Sequence, residues 1–361
     1  METWKKGDLD RPTNITWDIT YACPLRCSHC YSESGRRPSR HLSRSDIFTA
    51  TDKIIAMRPQ TVALAGGEPL LLPDIFAISE RMNSAGIAVV IYTSGWALTQ
   101  SMIEKAESSL FQINVSLDGP RAAIHDRVRG RQGSFNRAAE ALSLLNRSSE
   151  QARKVGRDPL RFGIDCVVLK STFYHMEEFL RDLIPKYPEI SFLSFGAVVP
   201  SGLASRHEFI EEEGLTDSQF KAMGNGEKQM ELRRLAPPSL RVFVTDNLSL
   251  QMHPDTMRQY EEFNSLQIEP DGEVRAIPIY EGTVGSILRD SPEILWRRCK
   301  SRWRDPFVVE ALSGVQTMSQ WAAATRSIDY HFGTEEVRAR IERRAHRNRD
   351  WTQANHVTGQ S

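Results

Sequence analysis

Along the first half of the chain, apolar runs of strand length alternate with segments of helical period. The runs are rich in Val, Ile and Phe, which is typical of buried parallel strands. Helices are predicted to begin at Ser43, Asp74, Thr99, Ser134 and His175. These repeats predict an α/β fold, a partial (β/α)6 TIM-type barrel open on one side. Its six predicted strands span residues 15–20, 61–65, 88–93, 111–117, 161–169 and 191–199.

Three of the five cysteines, Cys23, Cys27 and Cys30, fall within eight residues directly after the first predicted strand. Three thiolates on one loop can hold three corners of a 4Fe-4S cluster, which leaves one iron open to an external ligand. A structural zinc site that recruits His29 or His41 is the alternative. Structural zinc usually joins ligand pairs from two separated segments, and the sequence offers no second pair.

The spacing C-x-x-x-C-x-x-C, followed by the aromatic Tyr31, resembles the signature of the radical S-adenosylmethionine superfamily. The resemblance implies that the open iron binds the amino and carboxyl groups of S-adenosylmethionine. It also implies that a Gly-Gly-Glu-Pro loop after the second strand binds the amino group, and that a small polar residue after the third strand faces the cofactor. The residues at these positions are Gly66, Gly67, Glu68, Pro69 and Ser94.

The stretch from residue 115 to 135 resembles the subgroup of these enzymes that carries a SPASM or twitch extension, which includes peptide maturases of mycofactocin and pyrroloquinoline quinone. This resemblance implies that Ser116 and Asp118 reach the ribose hydroxyls. A cation is needed for the cofactor carboxylate; Arg129 is the first candidate, and Arg127 or Arg131 could take its place. The neighbouring residues 125 and 126 are interpreted as a local cap rather than as catalytic groups.

A hairpin with a turn at Asp271 and Gly272, followed by the phrase 284–296, resembles the start of a SPASM domain. In such a domain the first cysteine of an auxiliary cluster would stand near Ala276, Ile277 or Pro278, and the sequence has no cysteine there. Cys299 is the one thiol in this half, and one cysteine cannot hold a cluster. The sequence therefore predicts a degenerate extension without auxiliary clusters. The domains expected are a barrel over residues 1–202, a bridging segment over 203–262 that covers the substrate opening, and the extension with a terminal helix over 263–361.

Side chains able to return a hydrogen atom to a substrate radical are few. Cys299 is the catalytic candidate, and Tyr280 and Cys166 are chemically able alternatives. For Cys166, the position within a strand favours an inert buried thiol. A basic stretch at 338–349 is interpreted as the solvated face of a terminal helix.

The composition of the chain argues against a nucleic-acid-binding protein and against a membrane protein. Basic and acidic side chains balance at 46 each, which gives no long-range attraction to nucleic acid. No apolar segment approaches the length of a membrane span. An odd number of cysteines and an amino terminus without an apolar stretch favour reduced thiols and a cytoplasmic location.

The function implied is reductive cleavage of S-adenosylmethionine to a 5'-deoxyadenosyl radical, which abstracts a hydrogen atom from a ribosomal peptide or natural-product precursor. The cofactors implied are one 4Fe-4S cluster and S-adenosyl-L-methionine, with flavodoxin or ferredoxin as electron donor. A sugar or aminoglycoside epimerase or dehydrogenase is the alternative, and a non-catalytic homologue is a third possibility. Loss of auxiliary clusters favours a redox-neutral outcome, or one in which a hydrogen atom or electron returns to the substrate radical from elsewhere.

Overall fold

The computed structural model describes residues 11–253 and 264–346. Within them, every helix is too short or too polar to cross a bilayer. The parts of the predicted bridging segment and terminal helix that fall at 254–262 and 347–361 lie outside the described residues.

One continuous sheet organises the described part of the chain, in the order β10-β9-β8-β1-β2-β3-β4-β5-β6-β7. Strands β1 to β8 pair in parallel, and β9 and β10 complete an antiparallel edge. The predicted six parallel strands are confirmed in place and order. The strands are β1 Asn14–Thr20, β2 Thr61–Gly66, β3 Ala88–Thr93, β4 Gln112–Ser116, β5 Arg161–Val168, β6 Phe192–Ala197, β7 Arg241–Thr245, β8 Ser265–Ile268, β9 Glu273–Arg275 and β10 Thr283–Ser286.

Helices follow most strands, as the apolar periodicity predicts. Ser43 accepts a hydrogen bond from the Asp46 N–H at 3.2 Å, which confirms its predicted capping role. The helix predicted at His175 is broken into 3-10, α and π turns between residues 173 and 186, where Pro185 cannot continue an α-helix. The helices are α1 Arg44–Met57, α2 Ile75–Ser84, α3 Gln100–Ser109, α4 Ala122–Arg129, α5 Ser134–Lys154, α6 Met176–Glu178, α7 His207–Glu213, α8 Asp217–Gly224, α9 Glu227–Leu235, α10 Pro292–Trp303, α11 Pro306–Ser313, α12 Met318–Phe332 and α13 Glu335–His346.

The two faces of β1 differ in chemistry. Ile15 and Trp17 are each 1% exposed and belong to the main apolar core. Successive side chains of a strand point to opposite sides, so Thr16 and Asp18 lie on the other face of β1. Both of these residues are polar. This other face lines the interior of the barrel, and the polar Asn114 of β4 lies on it too. The barrel interior is therefore not filled by the layers of branched apolar side chains that fill a closed barrel.

The predicted hairpin is confirmed, with Gly272 at a φ of +83° in its turn. Its first strand, β8, also pairs in parallel with β1. The extension and the barrel therefore share one sheet. The interpretation of 338–349 as a solvated face is wrong for two residues, because Arg340 and Arg344 of α13 are 8% and 5% exposed.

Candidate functional site

The cysteine loop follows β1 and is held on two sides by backbone hydrogen bonds. The Arg26 N–H donates to the Arg129 carbonyl at 3.0 Å, and the Ser28 N–H donates to the Val128 carbonyl at 2.9 Å. From the loop after β6, the Leu203 N–H donates to the carbonyl of Cys30 at 3.0 Å. The loop is thus fixed by α4 and by the segment after β6, which gives its thiols defined positions.

The three thiols are partly enclosed and lie near one another. Burial raises the pKa of Cys23 to about 12, and the neighbouring charges of Cys27 and Cys30 add to that rise. Burial also raises the pKa of Cys27 to about 11, although the positive charge of Arg129 acts to lower it. Thiolates in such a place need a cationic partner, and coordinated iron supplies one.

Within the residues described, no three His, Cys, Asp or Glu side chains converge as ligands of a single metal ion. The Nε2 atom of His29, a candidate zinc ligand, lies instead 2.9 Å from Asp118 Oδ2. One ring nitrogen of His29 is thus engaged by a carboxylate. A cubane cluster is larger than one ion and spreads its thiolate ligands around a greater volume.

The Gly-Gly-Glu-Pro loop lies directly against the start of the cysteine loop. The Gly67 N–H donates to the Thr20 carbonyl at 2.7 Å, and the Glu68 N–H donates to the Ala22 carbonyl at 2.9 Å. A Cβ atom on Gly67 would lie 2.1 Å from the Ala22 oxygen, and Gly66 has a φ of +105°. Glycine is required at both positions, by close approach at one and by backbone conformation at the other.

Glu68 is fully buried and joins the loops after β2 and β3. Its Oε1 accepts from the Thr93 hydroxyl at 2.7 Å and the Leu70 N–H at 3.2 Å. Its Oε2 accepts from the Ser94 N–H at 2.9 Å and from the Ser94 hydroxyl. Burial raises the pKa of Glu68 despite these four bonds. Ser94 and Glu68 therefore occupy one site, and Pro69 begins the short 3-10 turn beside it.

Asp118 and Arg129 form a buried ion pair beneath the cysteine loop. Arg129 Nε lies 2.6 Å from Asp118 Oδ2, Arg129 Nη2 donates to Oδ1 at 2.9 Å, and the Val167 N–H donates to Oδ1 at 3.0 Å. Burial alone would raise the pKa of Asp118, but the charge of Arg129 outweighs it and holds that pKa well below its usual range. Arg129 Nη1 also points at Cys27 Sγ, 3.9 Å away.

The two alternative cations point away from this pair. Arg127 is exposed and pairs with Glu213 at 2.6 Å, and Arg131 is exposed with its Nη1 donating to the Pro24 carbonyl at 2.6 Å. Asp126 accepts from the N–H groups of residues 133 and 135, each at 2.7 Å, which confirms its interpretation as a local cap. Of the three arginines, Arg129 is the buried one beside the thiols.

Comparison with known proteins agrees with this geometry. Residues 17–155 match the family model described as the radical SAM superfamily. Residues 17–155 form a radical SAM domain. Enzymes of this superfamily use a 4Fe-4S cluster and S-adenosylmethionine, and the residues described above fit both groups. Cys23, Cys27 and Cys30 would hold the cluster at three irons.

Two curated sequence relatives each match less than half of the chain. Mycofactocin maturase MftC of Mycolicibacterium smegmatis is 34% identical over 166 residues, which are 46% of this chain and 42% of the relative. An AdoMet-dependent heme synthase of Methanosarcina barkeri is 34% identical over 139 residues, 38% of this chain and 40% of the relative. The chain thus spans about two fifths of the length of these curated relatives.

Solved structures share the fold over more of the chain. Streptococcus suis SuiB bound to the precursor peptide SuiA has a TM-score of 0.60 and 14% identity, and the match covers 86% of this chain and 71% of SuiB. The anSMEcpe structure with bound AdoMet has a TM-score of 0.57 and 15% identity, and the match covers 92% of this chain and 100% of anSMEcpe. These likenesses show a shared fold, a partial barrel with a carboxyl-terminal extension.

The ribose role predicted for Ser116 and Asp118 stays a prediction. Both Asp118 oxygens are already bonded within the protein, whereas Ser116, at the end of β4, is half-buried. Asp165 pairs across the sheet with Ser116 and was not predicted. Burial and the charge of Asp118 raise the pKa of Asp165 to about 6. A lone acidic residue within an apolar strand is the signal that could have found it.

A second site that the sequence did not reveal joins the cysteine loop to the extension. The Tyr31 hydroxyl donates to Asp18 Oδ1 at 2.5 Å, and Gln267 Nε2 donates to Asp18 Oδ2 at 2.6 Å. Burial raises the pKa of Asp18 to about 7. The aromatic residue of the cysteine motif is thereby tied to β1 and to β8.

Cys299, the predicted hydrogen donor, lies in the core of the extension. It is 0% exposed, its Sγ lies 4.0 Å from the Arg275 carbonyl oxygen, and burial raises its pKa to about 12. The Tyr280 hydroxyl donates to the Gln251 carbonyl at 2.7 Å and is also buried. Cys166 is 3% exposed within β5. The structure brings none of these three into hydrogen-bond contact with the cysteine loop, and the donor role of Cys299 stays a prediction.

Proposed function

We propose that this chain is a radical SAM enzyme that abstracts a hydrogen atom from a peptide or natural-product precursor. The single observation that carries the proposal is the meeting of the cysteine loop with the Gly-Gly-Glu-Pro loop, through the hydrogen bonds of Gly67 and Glu68 at 2.7 and 2.9 Å. When bound, the cluster supplies one electron that breaks the sulfonium bond of S-adenosylmethionine, and the resulting 5'-deoxyadenosyl radical takes hydrogen from the substrate.

The chain's own residues position and enclose the reactants. Gly66, Gly67 and Glu68 would bind the amino group, because they offer backbone carbonyls and a carboxylate beside the thiols. Arg129 would face the carboxylate of the same cofactor, since it is the buried cation at the cysteine loop. Ser116, half-buried at the end of β4, would meet a ribose hydroxyl, and Asp118 would orient Arg129. Orientation of this kind lowers the barrier by fixing the reacting atoms in advance.

Two relatives support a peptide as the substrate class. One sequence relative is named a mycofactocin maturase, and one structural neighbour holds its precursor peptide. A redox-neutral change of that peptide is favoured because the extension, in its described part, offers Cys299 as its one thiol. An acidic, flavin- or iron-containing carrier such as flavodoxin or ferredoxin would supply the electron.

A small-molecule substrate, such as a sugar or aminoglycoside, is the second candidate. It is favoured by the polar inner face of the barrel, where Asn114 is 2% exposed with its Nδ2 lacking a hydrogen-bond partner. An epimerase or dehydrogenase acting on a hydroxyl-rich ring would suit such a lining. A heme synthase among the sequence relatives shows that not all of these relatives are named as peptide maturases.

The test is product analysis after anaerobic reconstitution. With dithionite and S-adenosylmethionine, we expect 5'-deoxyadenosine and methionine, formed slowly without substrate. S-adenosylhomocysteine as the main product would contradict the proposal and indicate methyl transfer. A short peptide encoded beside the gene, if present, is then added, and its mass and deuterium transfer into 5'-deoxyadenosine are measured. Transfer from the peptide supports the first candidate, and transfer only from an aminoglycoside supports the second.

A further inference from the structure

The side chains that face the interior of the barrel are aligned from strand to strand. Tyr92 of β3 lies opposite Asn114 of β4, and Ser116 of β4 lies opposite Asp165 of β5, which in turn lies opposite Ser194 of β6. Paired residues of neighbouring parallel strands point to the same side of a sheet, and so do Asn114 and Ser116, which are two positions apart. These five side chains therefore line one continuous surface, called the inner wall below.

Tyr92 is the residue of β3 that reaches open space from the inner wall. It is 37% exposed, whereas its neighbours Ile91 and Thr93 are 0% and 1% exposed. Burial nevertheless raises the pKa of the Tyr92 phenol above its ordinary value, and the charge of Asp165 adds to that rise. The ring is thus surrounded by protein, borders a space inside the barrel and keeps its phenolic proton at neutral pH.

An unsatisfied amide marks this space as a ligand site. Asn114 is 2% exposed, and its Oδ1 accepts from Gln112 Nε2 at 2.7 Å, whereas its Nδ2 has no hydrogen-bond partner. Buried polar groups nearly always have a partner, so we expect a bound group to accept from this nitrogen. Tyr92 lies opposite Asn114 and stands two residues before Ser94, whose hydroxyl donates to Glu68. Tyr92 is therefore next to this ligand site and to the loops assigned to S-adenosylmethionine.

Other side chains able to give a hydrogen atom are engaged or point elsewhere. Cys166 belongs to the apolar core, on the opposite face of β5 from Asp165. The Tyr31 hydroxyl donates to a β1 carboxylate at 2.5 Å. Cys299 and Tyr280 are buried in the core of the extension. These placements favour Tyr92, which is the tyrosine of the inner wall.

We propose that Tyr92 is the residue that returns a hydrogen atom to the substrate radical. This inference rests on the proposed function and supplies a donor for its redox-neutral outcome. The phenolic O–H bond of Tyr92 breaks and a C–H bond forms on the substrate, which leaves a neutral tyrosyl radical. One electron from the flavodoxin- or ferredoxin-type carrier and one proton from water then restore the phenol. The transfer is favourable because a phenolic O–H bond is weaker than an unactivated aliphatic C–H bond.

The experiment traps the radical on the protein in the absence of substrate. The reconstituted full chain with S-adenosylmethionine receives a single electron equivalent of titanium(III) citrate per cluster and is frozen within seconds for electron paramagnetic resonance. The 5'-deoxyadenosyl radical then has no substrate, so we expect it to take the hydrogen of Tyr92 and leave a tyrosyl radical that no remaining reductant removes. Ring-deuterated tyrosine should narrow the signal of the wild type, because deuterons couple more weakly than protons to the unpaired electron. Tyr92→Phe should lose this signal, measured per methionine released.

The matched control is Tyr174→Phe, since Tyr174 is 79% exposed at the surface, and this variant should keep the tyrosyl signal. Circular dichroism of the apoproteins checks that both variants fold as the wild type does. Methionine release without a tyrosyl signal in the wild type, or a tyrosyl signal that survives in Tyr92→Phe, would overturn the inference and leave the proposed function intact. Equal loss of the signal in Tyr174→Phe would overturn it too. Absence of methionine release would instead count against the proposed function.

Discussion

Replacing Arg344 should destabilise the protein through a buried charge network that joins α13 to the cysteine loop. Arg344 Nε donates to Glu33 Oε1 at 2.8 Å, and its Nη2 donates to Glu281 Oε1 at 3.1 Å. Arg340 bonds the same two oxygens at 2.5 and 2.8 Å. Glu33 stands three residues after Cys30, so the terminal helix supports the loop that carries the thiols.

The magnitude follows from burial. Glu33 and Glu281 are 6% and 3% exposed, and removal of one partner from a buried ion pair costs about 3 to 5 kcal/mol. Arg340 remains bound to both carboxylates after Arg344→Met. We therefore expect the lower end of that range, about 3 kcal/mol of the free energy of unfolding.

The assay is urea unfolding of the apoprotein under anaerobic conditions, followed by circular dichroism. Arg343→Met, on the exposed face of the same helix, is the matched control and should change stability by less than about 0.5 kcal/mol. Glu33→Gln combined with Arg344→Met should cost less than the sum of the single changes, because no uncompensated charge is left at that position. A loss below about 0.5 kcal/mol for Arg344→Met, or strict additivity in the double variant, would refute the reasoning.

Further expectations concern the cofactor site and the extension. Glu68→Ala should weaken S-adenosylmethionine binding by about 1.5 to 3 kcal/mol in equilibrium dialysis, since a charged acceptor is lost, and unchanged affinity would refute its role. Deletion of the chain from Leu266 onward should abolish both the visible absorption of the cluster and substrate turnover, because β8 pairs with β1. An intact cluster after this deletion would show that β1 does not need β8 as a partner. Cys299→Ala should still form 5'-deoxyadenosine, and loss of product alone would support the hydrogen-donor role. The pKa of Asp18 is raised to about 7 in the folded protein, so on raising the pH the Asp18 carboxyl loses its proton first in the unfolded chain. The free energy of unfolding should therefore fall from about pH 4 to pH 7 and stay level above pH 7. Asp18→Asn should flatten this fall in urea titrations at several pH values.

Local pattern was sufficient to predict the first six strands and to propose the metal loop. Apolar runs located β1 to β6 because buried parallel strands leave a continuous hydrophobic signal. The spacing of Cys23, Cys27 and Cys30 predicts the cluster loop because the three proposed ligands lie within one short segment. The Asp271 and Gly272 turn located the hairpin for the same reason.

Long-range pairing was not visible. Strand β7 was missed because it is short and partly exposed, with Phe243 at 42% exposure. The parallel pairing of β8 with β1 joins residues about 250 positions apart, which no local pattern encodes. Glu33 and Arg344 likewise meet across 311 positions, so Arg344 was interpreted as solvated. The contacts of Asp118 with Arg129 and His29 also join residues that no local pattern links.

The central claim is that one cluster, held by Cys23, Cys27 and Cys30, equips the chain for radical chemistry. Iron analysis after anaerobic reconstitution tests it most directly. We expect about four irons per wild-type chain and about none after all three cysteines are changed to alanine. About eight or twelve irons per chain, or retention of iron in the triple variant, would contradict the account.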